Sequence, residues 1–170
     1  MLAPTAILYP TDFSEASRAA LQRAVYLARH YDAALHIIHV STDFGEDPIR
    51  KAFEARVDAA GFDKAVRAEA KAQLHTLLEP LDTDDLSIEI VYERGVAPAP
   101  VILEYAGEHD VDLIVMGTHG RRGVKRFMLG SVAEEVVHHA PCSVLTVRGG
   151  LDPGTASIKR VLAPVDLSET

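Results

Sequence analysis

Five short apolar runs punctuate this chain, and a longer stretch separates each from the next. Ala6-Ile7-Leu8-Tyr9, ended by Pro10, reads as a first buried strand, and Ala34 to Val40 as a second. Ser87 to Tyr92, Val111 to Met116 and Ser143 to Val147 supply three more. Between the first two runs, Ala20, Ala24, Leu27, Ala28 and Tyr31 fall at helical spacing, and Asp12 with Glu15 resembles a capping box. Pro48 suits the first turn of the next helix. That helical pattern breaks at Gly61, resumes through Val66, Ala70, Leu74, Leu77 and Leu78, and stops at Pro80. Pro98 to Glu108 and Ser131 to His138 complete the helices, the latter closed by Pro141. The order β-α-β-α-β-α-β-α-β predicts a parallel sheet with helices on both faces. Leu113 to Met116, apolar throughout, fits a strand buried on both sides.

The chain of 170 residues has room for one well-packed domain, at 48% apolar and 25% charged residues. No apolar run approaches the ~18 residues of a membrane span, and no export signal is visible. The single cysteine, Cys142, rules out an internal disulfide and fits a reducing, cytoplasmic setting. A net charge of −8 argues against general nucleic-acid binding. Against that acidic background, Arg121, Arg122, Lys125 and Arg126 crowd together.

Those cations lie inside the most informative segment, which leaves the fourth predicted strand at Val115 and enters a helix at Ser131. It passes Gly117, Gly120, Gly123 and Gly130 on the way. Glycines let the backbone approach a ligand without a Cβ in between. Inward-facing amides and the N-terminal end of the following helix make an anion site, with Ser131 as helix cap and phosphate donor. The segment lacks the Gly-Lys-Ser/Thr ending of a P-loop and does not match G-x-G-x-x-G. A polyphosphate is the expected guest.

The spacing Gly117-x2-Gly120-x9-Gly130-Ser131 resembles the ATP-binding signature of the universal stress protein family. The opening Ile7 to Ser14 and the closing run His138 to Val147 resemble the same family, so the likeness covers residues 7–148. It implies an open five-stranded sheet of order 3-2-1-4-5, Rossmann-like and adenine nucleotide alpha hydrolase-like, with ATP where strands 1 and 4 separate. Strand C-termini at such a switch point are the usual ligand position in open α/β sheets. By resemblance, Thr11 and Asp12 line the ribose and adenine side, and the Val40 backbone meets the adenine edge. Met116 and Gly117 pass beneath the nucleoside, while Gly120, Arg121, Gly130, Ser131 and Val132 surround the phosphates. A Mg²⁺ or Mn²⁺ would arrive with the nucleotide. The resemblance also implies a homodimer through the strand Ser143–Arg148.

Other residues read more plainly. His36 and His39 sit three apart on a strand, on opposite faces, and read as packing or surface residues. His138 and His139 suit a helix C-terminus, Glu134 and Glu135 an N-terminus, and Cys142 an inert core position. Ile7 to Ala16 and Val161 to Thr170 share five of ten residues (Leu, Pro, Asp, Ser and Glu). The expected organisation is therefore a domain over 1–148, a linker over 149–157 and the start of a second repeat over 158–170. A nucleotide-dependent regulatory or stress-response module is the leading functional reading. A slow ATPase or phosphoryl-transfer enzyme would depend on His119, and a structural dimer with a vestigial site is the third reading.

Overall fold

The computed structural model describes residues 3–42, 59–118 and 129–148. The segments expected to form the linker and second repeat lie outside them, as do Pro48, His119, Gly120, Arg121, Arg122, Lys125 and Arg126.

The elements run β1 (Ala6–Pro10), α1 (Glu15–Tyr31), β2 (Ala34–Thr42), α2 (Ala59–Leu78), β3 (Ile88–Gly95), α3 (Pro98–Glu108), β4 (Leu113–Gly117), α4 (Ser131–His139) and β5 (Ser143–Val147). All pairings in the sheet are parallel and the strand order is β3-β2-β1-β4-β5, as expected. Alternation along the strands then divides the core. Ile7, Tyr9, Leu35 and Ile37 pack with Ala20, Leu21, Ala24 and Leu27 of α1 and Leu74 of α2. Leu8, Ile38, Ile114 and Met116 pack with Ile102 and Tyr105 of α3 and Val136 of α4. Both faces of the central strands are covered, which is why those strands carry almost no polar residues.

The structure corrects several local expectations. Ser14, not Asp12, caps α1: its side chain accepts from the Ser17 N–H, while Asp12 Oδ1 accepts from the Ser14 N–H at 3.0 Å. A two-residue reach suits an aspartate in a turn before a helix, and the serine then stands nearer the free amides. Gly61 lies inside α2 rather than breaking it. One glycine costs a helix about 1 kcal/mol, which burial of Ala70, Leu74 and Leu78 offsets. Strand bounds also differ: β2 extends to Thr42, β3 spans Ile88–Gly95 rather than ending at Tyr92, and β4 begins at Leu113 rather than Val111.

Entry to the sheet is clamped by Asp112. Its Oδ2 accepts from Thr5 N–H at 2.7 Å, Thr5 Oγ1 at 2.9 Å and Ala6 N–H at 3.1 Å. The Thr5 amide, then the Ala6 amide and the Thr5 hydroxyl, hold this carboxyl below its usual range. A depressed folded value contributes stability that is fully present above the unfolded value and lost as pH falls through the folded one. Asp112→Asn should therefore flatten the acid limb of the stability–pH curve, with only a small loss at neutral pH. Chemical denaturation between neutral and acidic pH checks this; an unchanged acid limb would contradict it.

Candidate functional site

The C-terminal edge of the sheet parts between its two central strands. β1 and β4 pair only at Ile7↔Leu113 and Leu8↔Ile114, whereas β1 stays paired with β2 to Pro10↔Ile38. Beyond the last rung, the next β1 residue on the side facing β4 is Pro10, which has no N–H to give. Thr11 N–H donates to Ile38 O at 2.9 Å, and Thr118 N–H donates to Val147 O at 3.0 Å. The strand order reverses at this parting, the place where open α/β sheets form their ligand crevice.

On the β1 side the chain turns sharply through Phe13, whose φ of 63° is unusual for a bulky residue. Buried hydroxyls hold that turn. Thr11 Oγ1 accepts from Phe13 N–H at 3.1 Å and lies 3.1 Å from Ser17 Oγ, which itself donates to Ser14 O at 3.0 Å. Since Ser17 has one hydroxyl proton, Thr11 is the donor of that pair. Tyr9 Oη donates to Ser17 O at 2.9 Å, and burial pushes its phenol up to about 12, so it stays a donor at physiological pH. From β2, the His39 ring reaches Thr11 O through Nδ1 at 2.9 Å; a carbonyl only accepts, so Nδ1 carries the proton. The same ring packs 4.6 Å from Phe13.

On the β4 side, Gly117 lies against the first turn of α1. A Cβ there would stand 2.9 Å from Ala16 O and 3.0 Å from its carbonyl carbon, both immovable main chain. Gly130 N–H donates to Thr118 O at 2.7 Å, docking the start of α4 on the residue that follows β4. Gly130, not Ser131, is the helix cap, at φ −68° and ψ 151°, and no side chain completes it. Ser131 is the first helical residue and exposed. The first intrahelical bond is Glu134 N–H to Gly130 O, so the preceding amides face outward at the positive end of the helix dipole.

Of the residues singled out in the sequence, Thr11, Asp12, Val40, Met116 and Gly117 lie at or just beyond strand C-terminal ends, Gly130 caps α4, and Ser131 and Val132 lie in its first turn. Met116 is 5% exposed and its side chain belongs to the core, so only its main chain could meet a ligand. His36 and His39 do lie on opposite faces: His36 Nδ1 is 2.9 Å from Tyr105 Oη beside α3. Sequence reading undervalued His39, Ser14 and Ser17; the signal available was a lone polar residue inside the apolar run Ile37-Ile38-His39-Val40. A groove of about 580 Å³ also runs between α1 and α2, lined by Arg18, Leu21, Gln73 and Leu77 among others. Among the described residues no His, Cys, Asp or Glu cluster suits a metal, and no helix is long and apolar enough to cross a membrane.

Comparison with known proteins agrees with this architecture. The model of the Universal stress protein family matches residues 5–148. A universal stress protein of Methanocaldococcus jannaschii is 34% identical over 145 residues, covering 84% of this chain and 81% of that protein. The solved universal stress protein UspA from Lactobacillus plantarum superposes with a TM-score of 0.69 at 28% identity, over 87% of this chain and all of that one. A universal stress protein solved in complex with cAMP gives 0.59 at 26% identity, over 88% of this chain and 100% of that one.

The contact at Gly117 generates a direct test. Gly117→Ala should lower unfolding free energy by roughly 1–3 kcal/mol, the usual range for forcing a group into filled space. Urea denaturation checks it; an unchanged midpoint would show that α1 shifts freely.

Proposed function

Since this chain belongs to the universal stress protein family, we propose that the crevice between β1 and β4 binds an adenine nucleotide, ATP first among them. The observation that carries the reading is the parting of those strands beside the side-chain-free cap of α4. Phosphate oxygens suit the outward amides of Ser131 and Val132, and the absence of a Cβ at Gly130 lets them approach. Arg121 and Gly120 would complete the cradle, by family resemblance.

The adenine end has its own support. In β2 the even-numbered residues turn their peptide groups toward β1: Ala34 N–H bonds Thr5 O, and Ile38 O accepts from Thr11. The next in that series is Val40, past the last β1–β2 rung. Its N–H and C=O form a donor–acceptor pair that matches the N1 acceptor and N6 donor of adenine. Thr11 and Asp12 then stand where a ribose would follow. The cAMP complex of a relative accords with an adenine nucleotide as ligand. A divalent Mg²⁺ or Mn²⁺ would be held by the phosphates.

Nucleotide occupancy would act by ordering the segment between Gly117 and Gly130 and biasing a neighbouring surface, a population shift rather than a chemical step. The family resemblance suggests a homodimer through β5, which is the sheet's edge strand. The shared motif at 161–170 supports the start of a second repeat at the C-terminal side. A cytoplasmic stress-response module is the biological role that fits these features.

Isothermal titration with ATP tests the reading. Wild type should bind, and Gly130→Val should weaken binding by about tenfold or more, as for the loss of one good contact. The backbone angles at Gly130 suit valine, so the fold should survive, with a modest loss of thermal stability because valine caps a helix less well than glycine. Failure of the wild-type protein to bind ATP at millimolar concentration would overturn the proposal.

A further inference from the structure

The β1–β2 ladder has a next rung available and does not make it. After Pro10↔Ile38, continuation of a parallel ladder would send Val40 N–H to Thr11 O and Phe13 N–H to Val40 O. Both partners are taken instead by side chains. Thr11 O accepts from His39 Nδ1 at 2.9 Å, and Phe13 N–H donates to Thr11 Oγ1 at 3.1 Å. β2 itself continues, paired with β3 through Val40↔Glu93 to Thr42↔Gly95, so the strand is intact where its rung to β1 is missing.

We infer that His39 is a positioning residue that stops this ladder one rung short and so holds the Val40 main-chain edge open for a planar donor–acceptor ligand. The ring is well placed for it. His39 is 1% exposed and lies between Phe13 at 4.6 Å and Tyr92 at 5.8 Å, which fixes the direction of Nδ1. Its hydrogen bond satisfies a buried carbonyl that would otherwise seek the Val40 amide. One side chain thus sets the β1–α1 turn, which carries Asp12, and leaves the adjacent residue of its own strand free to recognise a base. The recognition half of this inference rests on the adenine-nucleotide reading; the ladder half does not.

The test pairs two substitutions with two ligands. His39→Phe keeps an aromatic ring between Phe13 and Tyr92 but removes the donor, whereas His39→Asn keeps a donor near the Nδ1 position. In nucleotide-free protein, His39→Phe should slow amide hydrogen exchange at Val40, as its N–H pairs with Thr11 O. Its ATP affinity should fall about tenfold, the equivalent of one neutral hydrogen bond, with inorganic tripolyphosphate affinity unchanged. His39→Asn should return both readouts toward wild type. Wild-type Val40 exchange in His39→Phe, or equal losses for ATP and tripolyphosphate, would overturn the inference. Should His39→Phe not fold, a through-bond coupling between Nδ1 of His39 and the Thr11 carbonyl carbon in wild type decides the matter, and its absence overturns it. If wild type binds no ATP, the nucleotide reading fails alone, and Val40 exchange still judges the role of His39.

Discussion

Everything at the C-terminal edge of this sheet follows from where the pairing between its two central strands stops. β1 and β4 lie side by side, yet past Leu8 and Ile114 they no longer pair, and the next β1 residue facing β4, Pro10, has no N–H to offer. Thr11 N–H still bonds β2 and Thr118 N–H still bonds β5, as strand alternation dictates, so the outer pairs stay closed where the centre of the sheet opens. Right-handed crossovers require the chain to leave β1 and β4 toward opposite faces and opposite edges. Backbone groups that a ladder would otherwise consume are thereby concentrated in one crevice. The same topology brings the start of α4 against Thr118, so a helix dipole and the freed strand edges share one wall.

Such an opening needs support on both sides, and the two sides use different means. The β4 side relies on the absence of atoms: Gly117 lets the backbone of α1 approach, and Gly130 caps α4 without a side chain. The β1 side relies on buried polar atoms, with Tyr9, Thr11, Ser17 and His39 all satisfying main-chain groups of one turn. Buried hydrogen bonds of this kind give modest net stability but a strong penalty for any other arrangement. They hold Phe13 at a positive φ that its side chain disfavours.

Much of the fold was legible because the strongest signals are local. Pro98 at the first turn of α3, the apolar run Ser143–Val147 and the spacing of Ala20, Ala24 and Leu27 each point to one element, and each element formed. Strand order came through family resemblance; periodicity cannot rank parallel strands that look alike. The caps were read one or two residues off because Asp12, Ser14 and Ser131 are all competent cap residues, and tertiary geometry chose among them. His39 was beyond reach for another reason. Its importance lies in a carbonyl 28 positions away, and nothing in a strand's alternation tells which buried histidine has such a partner.

A nucleotide held as proposed contacts the strand ends rather than the groove between α1 and α2. Amide chemical-shift mapping with ATP measures this most directly. The largest perturbations should fall at Thr11, Asp12, Val40, Gly117, Thr118 and Gly130 to Val132, with Arg18, Gln22, Glu69 and Gln73 unmoved. Perturbations confined to those α1 and α2 residues would contradict it.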